Sequence, residues 1–434
     1  RFSLFILKLK DCILWTEKRK GIEKMSMNNN VNIDKKEFNE FVQNHPYCNL
    51  LQSYQWADVK ENWDHMHTGV YDENHQLVAT GLVLIKRLPL GFTMFYLPRG
   101  PIMDYKNKPL LKYYFSELKR IAKKRHCLFI KFDPAIHVND YKSNEYNENR
   151  YSDTQEYIEL FKEIGAYHHG FTMQISDTVQ PRFQSNVYNT EEWLTNLPKH
   201  TKRLIKDADK RNVKIVTGQL ELVDQFSRLV EMTEERKGVA LRNKDYFELL
   251  LKTYPQGGVI FLAVCNLKEL SKGVHERKEI LEKEMENTPE NAKKKIRKLQ
   301  DQMNSTLKDI KEFDEMLQNM EHPQGDIAIA GILSIQFGST CEMLYAGMDE
   351  RFKKFMPQYK EYVENFKWAF DRGCTWSNMG GVEGTLDDGL TKFKDNFNPM
   401  INEFIGEFDI PVNKMLFKLS EKAYEMIKKR NSSE

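Results

Sequence analysis

The chain has 434 residues with 65 Lys+Arg against 63 Asp+Glu, a formal net charge of +2, and its length suggests two to three domains at about 100–200 residues each. A composition of 40% hydrophobic, 12% aromatic and 29% charged residues supports a sizeable core and excludes global disorder. The near-zero net charge excludes a histone-like polycation, so any nucleic-acid or membrane contact must come from local basic patches.

In chain order, residues 1–26 read as a leader foreign to the native fold, with a natural start at Met25 or Met27. The apolar run Phe2–Leu7 is broken by Lys8, Lys10 and Asp11, which does not fit a signal peptide. The competing reading is a short membrane-surface anchor. Residues 27–170 read as a first mixed α/β unit. Asp34–Asn44 is predicted helical, with Phe38, Phe41 and Val42 on one face. Val78–Leu88 and Gly91–Leu97 read as an antiparallel strand pair, Lys112–Lys124 as a helix, Leu128–Phe132 as a strand and Asn139–Thr154 as a polar loop.

A second α/β unit spans residues 171–265 and 326–412. Its predicted strands are Val213–Val216, Val259–Val264, Ile327–Phe337, Met343–Gly347 and Phe404–Ile410; its helices are Glu221–Arg236, Lys244–Lys252 and Gln358–Phe370. Residues 266–325 interrupt it. There Ile296, Leu299, Met303, Ile310, Phe313, Leu317 and Met320 recur at alternating steps of three and four, with Thr306 in the one gap. Leu267, Leu270, Val274 and Leu281 form a matching stripe, and Thr288–Asn291 is a helix-stopping turn. The pattern predicts an antiparallel coiled-coil hairpin, charge-mixed and solvated, with 12 Lys+Arg and 13 Asp+Glu over Leu267–His322. A cluster at its tip, Lys293–Lys295 with Arg297 and Lys298, suits phosphates. Residues 413–434 are expected to form an amphipathic helix, Asn413–Arg430, with Lys428-Lys429-Arg430 at its end, and a short tail, packed on the fold or touching anionic lipid.

Six scattered cysteines without a CxxC pair speak against a disulfide framework or structural zinc and for a reducing cytoplasm. No metal or cofactor is expected. There is no G-x-S-x-G elbow, H-E-x-x-H, P-loop or G-x-G-x-x-G. An enzyme of this sequence would work by placing two substrates together and stabilising charge. Lys199–Lys214 carries seven Lys/Arg against two Asp, a local charge of +5. A cationic helix leading into a strand suits a diphosphate or an RNA backbone.

Several stretches together resemble the Fem family, the peptidyltransferases that build peptidoglycan interpeptide bridges from aminoacyl-tRNA. They are Leu50–Lys60 (LLQSYQWADVK), Tyr96–Tyr105 (YLPRGPIMDY), Ile130–Pro134, Leu344–Gly347, Gly389–Lys394 and Gly406–Asp409, with the hairpin in the family's place. The likeness covers about residues 27–430 and is greatest to Fem-like homologues of staphylococci. It implies two acetyltransferase-like (GNAT-related) subdomains in an α/β (α+β) fold, the second carrying the hairpin. It also implies an aminoacyltransferase that adds glycine or serine from aminoacyl-tRNA to a lipid-linked peptidoglycan precursor, in the cytoplasm at the inner face of the membrane.

By that resemblance Lys60, Lys202 and Arg203 hold the precursor's diphosphate, and Arg99 and Asp104 either pair to shape the acceptor cleft or form a structural pair only. Lys394, with Phe393 beside it, serves the aminoacyl end and the oxyanion; Tyr345 and Tyr359 line the site. Asn378 stands where relatives commonly have Asp, which leaves altered substrate choice open. No general base stands out. Implied partners are the aminoacyl-tRNA, the lipid-linked precursor, a membrane surface and further Fem-like chains. The alternative is a non-catalytic binding protein that meets tRNA or other Fem proteins through the hairpin.

Overall fold

The computed structural model describes residues 28–30, 33–146, 149–238, 241–319, 325–417 and 419. The expected leader, and all but the first turn of the expected C-terminal helix, lie outside them. The elements run β1 (Asn28–Asn30), α1 (Lys35–Gln43), α2 (Trp56–Val59), β2 (Asp64–Tyr71), β3 (Leu77–Arg87), β4 (Thr93–Leu97), β5 (Ile102–Met103), α3 (Lys108–Lys124), β6 (Cys127–Phe132), β7 (His137–Tyr141), α4 (Thr154–Glu163) and β8 (Tyr167–His168). There follow β9 (Phe183–Tyr188), α5 (Lys199–Lys210), β10 (Lys214–Gly218), α6 (Val223–Lys237), α7 (Lys244–Thr253), β11 (Gly258–Cys265), α8 (Leu267–Glu286) and α9 (Lys293–Gln318). The chain closes with β12 (Ile327–Phe337), β13 (Thr340–Met348), α10 (Pro357–Asp371), β14 (Trp376–Val382), α11 (Gly389–Asp395), β15 (Met400–Phe404) and β16 (Phe408–Pro411).

Local chemistry sets many of these bounds. Asp34 caps α1 by accepting from the backbone N–H groups of Lys36 and Glu37 at 2.8 and 3.1 Å. Phe38 and Val42, one turn apart, then bury the same face. Pro357 opens α10 where a missing N–H costs nothing. Asn212, between α5 and β10, adopts φ 54°, a conformation that Asn tolerates.

The elements form a mixed α/β fold around two sheets. The first has the order β1-β2-β3-β4-β6-β16-β8 with β5 on β3; the second is β10-β11-β12-β13-β14-β9-β15-β7. Each contains an antiparallel run and one parallel pair, β4 with β6 and β13 with β14, joined through α3 and α10. Helices α3 and α4 cover one face of the first sheet through Leu111, Phe115, Ile158 and Phe161. Its other face, with Leu82 and Leu84, shares a core with Phe226 of α6, Phe247 of α7 and Leu333 of β12. Each such side chain stabilises by about 1.5–3 kcal/mol on burial. This common core joins the two halves. On the far face of the second sheet, Ile332 packs with Val363 and Phe366 of α10.

Two strands cross between the halves, so the expected boundaries at 170 and 412 do not coincide with sheet membership. β7 lies in the polar stretch expected to be a loop, yet it is the edge strand of the second sheet, paired with β15. Its Asp140 accepts from Asn402 at 2.5 Å, which lets a polar segment serve as strand. The single strand expected over Phe404–Ile410 is two, broken where Gly406 takes φ 96°. β15 stays in the second sheet and β16 enters the first, between β6 and β8.

Helices α8 and α9 form the predicted hairpin between the neighbouring strands β11 and β12. Leu281, Leu299, Thr306 and Phe313 are buried. Ser271 donates to Asp314 at 2.8 Å near the base, and Phe313 meets Phe355 edge-on at 5.9 Å, fixing the arm to the second sheet's helices. The 26 residues of α9 extend about 39 Å at 1.5 Å per residue.

Candidate functional site

An open cleft of about 750 Å³ lies where the short α2 meets α6 and α7, with Lys60, Trp63, Arg242 and Tyr246 in its wall. Buried Trp56 and Val59 pin α2 on the common core, which aims Lys60, the residue that caps its C-terminal end, into the cleft. The Lys60 ammonium sits 5.0 Å from the Trp56 ring centroid, and the Arg242 guanidinium 4.9 Å from that of Tyr246. Burial, then the charge of Arg242, hold the Lys60 ammonium below its ordinary value. Among the described residues neither cation has a carboxylate in salt-bridge range. Glu61, Glu231, Glu234 and Asp245 also line the cleft, and an anion between the two cations would relieve their repulsion. Tyr246 meets Tyr345 of β13 edge-on at 5.9 Å, and Tyr345 packs on Phe247 at 5.2 Å.

From Tyr345 the same face of β13 leads to a crevice. Cys341 and Met343 point to the α10 side, so Glu342 shares the cleft side with Tyr345. β13 and β14 pair in parallel from Thr340 and Trp376 as far as Glu342 and Asn378, and then part. Such partings, at the carboxyl ends of parallel strands, are where open α/β sheets take ligands.

At the parting Asn378 Nδ2 donates to Glu342 Oε2 at 2.7 Å and to Gln184 Oε1 at 3.0 Å. Asn378 Oδ1 accepts from the Gly380 N–H at 2.7 Å. One residue on, the Gly381 carbonyl accepts from Lys394 Nζ at 2.8 Å. Gly380 takes φ 87°, which favours glycine, and an added Cβ would stand 3.6 Å from Lys394 Nζ. Lys394 is buried on α11, which Asp388 caps through the N–H groups of Leu390 and Thr391. Glu342 is partly exposed. Burial pushes its carboxyl up to about 7, against the Asn378 hydrogen bond and the charge of Arg99.

The structure gathers the expected site residues into separate places. Lys60 and Tyr345 flank the cleft. Lys394 lies at the crevice, and the ring of its neighbour Phe393 meets that of Tyr359 edge-on at 5.7 Å. Lys202 and Arg203 do not join Lys60: α5 packs against α10, on the opposite face of the second sheet from α6 and α7. Lys202 donates to the Thr195 carbonyl at 2.6 Å, and Arg203 meets His200 at 3.1 Å. Arg242 is the cation that stands opposite Lys60. Charge density along the chain marks α5, but the packing of α2 on α7 decides which cations converge. Helix α5 is instead tied to the lysine helix, Thr201 donating to the carbonyl of Asn396.

Arg99 and Asp104 do not pair. Arg99 is buried, its backbone N–H on Asp133 at 2.7 Å, its Nη2 on the Pro181 carbonyl at 2.6 Å and its guanidinium 3.9 Å from the Phe404 ring centroid. Asp104 accepts from the Lys106 N–H at 3.0 Å, a turn contact. Sequence reasoning missed Arg242, Tyr246 and Glu342. The signals were an Arg four residues before a Tyr at a helix start, and one carboxylate inside the β13 strand Thr340–Met348.

The FemAB family pattern matches residues 33–425. The lipid II:glycine glycyltransferase of Staphylococcus epidermidis is 30% identical over 410 residues, covering 90% of this chain and 95% of that protein. Aminoacyltransferase FemA of Staphylococcus aureus is 27% identical over 420 residues, covering 92% and 98%. The crystal structure of FemX superposes with a TM-score of 0.71 at 26% identity, covering 90% of this chain and 99% of that one. Among the described residues no helix is long and apolar enough to cross a membrane. With its matched span, its two sheets and its inserted hairpin, the chain belongs to the FemAB family.

Proposed function

We propose that this protein is an aminoacyltransferase that adds glycine from aminoacyl-tRNA to the interpeptide bridge of a lipid-linked peptidoglycan precursor. The observation that carries this reading is the convergence of Lys60 and Arg242 on one cleft, with Lys394 held on the Gly381 carbonyl just beyond the point where β13 and β14 part. The names of the relatives, a lipid II:glycine glycyltransferase and FemA, support the acceptor class and the donor residue.

In this reading Lys60 and Arg242 grip the precursor's diphosphate through charge-assisted hydrogen bonds. The stem peptide then runs past Tyr246 and Tyr345 to the crevice. There its terminal amine attacks the ester carbonyl of the aminoacyl-tRNA, and the ribose oxygen leaves. The Lys394 ammonium, held by the Gly381 carbonyl, stabilises the tetrahedral oxyanion. The exposed cations of α5, beside the lysine helix, face the RNA backbone of the donor. The reaction takes place at the inner membrane face, where the lipid-linked diphosphate is displayed.

The test is transfer of radiolabelled glycine and serine from charged tRNA onto lipid-linked precursors carrying zero, one and three bridge residues. Product with glycine on one of these acceptors is the expected result and fixes the bridge position; product with serine alone would change the donor. No product from folded protein that binds charged tRNA would replace this reading with a non-catalytic, tRNA-binding one.

A further inference from the structure

We infer that Glu342 is the catalytic base that takes the proton from the attacking amine, an assignment that rests on the transferase reading above. Three observations place it there. Glu342 sits at the last paired position of the two parallel strands, where β13 and β14 part. It shares the cleft side of β13 with Tyr345, so an acceptor anchored by Lys60 and Arg242 and extended along that face arrives at its carboxylate. It is joined to the lysine turn by a continuous set of contacts: Glu342 Oε2 to Asn378 Nδ2 at 2.7 Å, Asn378 Oδ1 to the Gly380 N–H at 2.7 Å, and the Gly381 carbonyl to Lys394 Nζ at 2.8 Å. The Asn378 amide occupies Oε2 and fixes the carboxylate's orientation, while the residue stays partly exposed. A base and an oxyanion-stabilising cation on either side of one strand parting are the two groups that ester aminolysis requires.

The acceptor ammonium gives one proton to water as it enters. The free amine's lone pair forms the C–N bond to the ester carbonyl carbon, and the oxyanion gathers beside Lys394. Glu342 takes the remaining excess proton from the adduct nitrogen. The C–O bond to the ribose breaks, its electron pair leaves on the ribose oxygen, and that oxygen takes the proton from Glu342. Amide and free tRNA hydroxyl result, and Glu342 is again a carboxylate.

The surroundings suit the task. Burial raises Glu342 to about 7, so the anion prevails above neutrality and its proton affinity matches the working range. The charged and titratable groups that act on it are Arg99 from the loop after β4, Cys48 from the α1–α2 connection and Cys341 beside it on β13. Asn378 carries no charge, so Glu342 is the acid of the pair, and the amide donates to it.

The experiment measures kcat and acceptor KM against pH for the full chain and for Glu342→Gln, Glu342→Asp and Glu342→Ala, with charged tRNA and lipid-linked acceptor. In the wild type kcat should rise through about pH 7. Glu342→Gln should lower kcat by about 100-fold or more, with acceptor KM and melting temperature held. The limb near 7 should disappear, leaving only that of the acceptor amine, near 8 for an ordinary α-amine. Glu342→Asp should keep part of the rate, and added formate should restore part of it in Glu342→Ala. Glu342→Gln within threefold of wild type, or a loss with the limb near 7 intact and no rescue by formate, would overturn the role. Transfer by the wild type that survives in Glu342→Gln removes only this assignment; no transfer by the wild type removes the transferase reading and this role with it.

Discussion

Each sheet has one parallel strand pair that parts at its carboxyl end, and the two partings have opposite fates. In the first sheet β4 and β6 are paired as far as Leu97 and Phe132. Arg99 and Asp133 follow, each 1% exposed, with the Arg99 N–H on the Asp133 carboxyl and its guanidinium against Phe404. The chain has filled that crevice with its own charges. In the second sheet the parting holds a partly exposed Glu342 beside a buried Asn378, and a lysine approaches it from α11. One topology therefore offers two sites. Which one takes a substrate depends on the side chains that follow the last paired residues, and the filled one becomes the seam that holds the halves together.

The contrast can be broken most strongly at the filled crevice. Arg99→Ala should cost about 3–5 kcal/mol, because it strips the cation from a buried carboxyl environment; a urea unfolding midpoint reads it. At the open crevice, Lys394→Met should lower kcat by about 10²–10³ with the urea midpoint held, since the oxyanion loses its cation. Lys60→Ala and Arg242→Ala should each raise acceptor KM about 10–100-fold, with kcat less affected and a dependence on salt that weakens in the variants.

A control away from both crevices is Glu361 on α10, whose two carboxyl oxygens are buried without a hydrogen-bond partner among the described residues and whose carboxyl is held well above its ordinary value by burial. A raised carboxyl is more protonated when folded, so the protein loses stability as pH climbs from the ordinary value of 4.5. Glu361→Met should add about 1–3 kcal/mol and flatten that decline, as thermal melts from pH 5 to 8 would record. The smallest effect sharpens the assignment of the clamp. Lys202→Ala with Arg203→Ala should leave acceptor KM within about twofold, because these cations lie on the other face of the second sheet.

How much of this was legible in the sequence follows from the range of the interactions. The apolar face of α1, the strand pair β3–β4 and the hairpin's three-and-four spacing depend on residues within a turn or two, and these expectations match the structure. The hairpin even shows its one polar seam residue, Thr306, buried with its hydroxyl on the Gln302 carbonyl. β7 and β16 were misread because their partners lie in the other half of the sequence. A strand of His-Val-Asn-Asp-Tyr has no apolar alternation of its own and becomes a strand only against β15.

The site divides the same way. Lys60 and Lys394 stand in recognisable motifs. The partnership of Lys60 with Arg242 arises from the packing of α2 on α7, and Glu342 becomes a distinctive acid only when β14 brings Asn378 beside it. Nothing local marks either event.

The exchange of β7 and β16 has a consequence for how the protein is made. β16 inserts between β6 and β8, so the first sheet has an unfilled slot until residue 411 has left the ribosome. The amino-terminal half therefore cannot finish folding as it emerges, and it waits for the last strand with exposed sheet edges on both sides of the slot. Chain termination before β15 would leave both sheets short of a strand, and termination between β15 and β16 would leave the first sheet open.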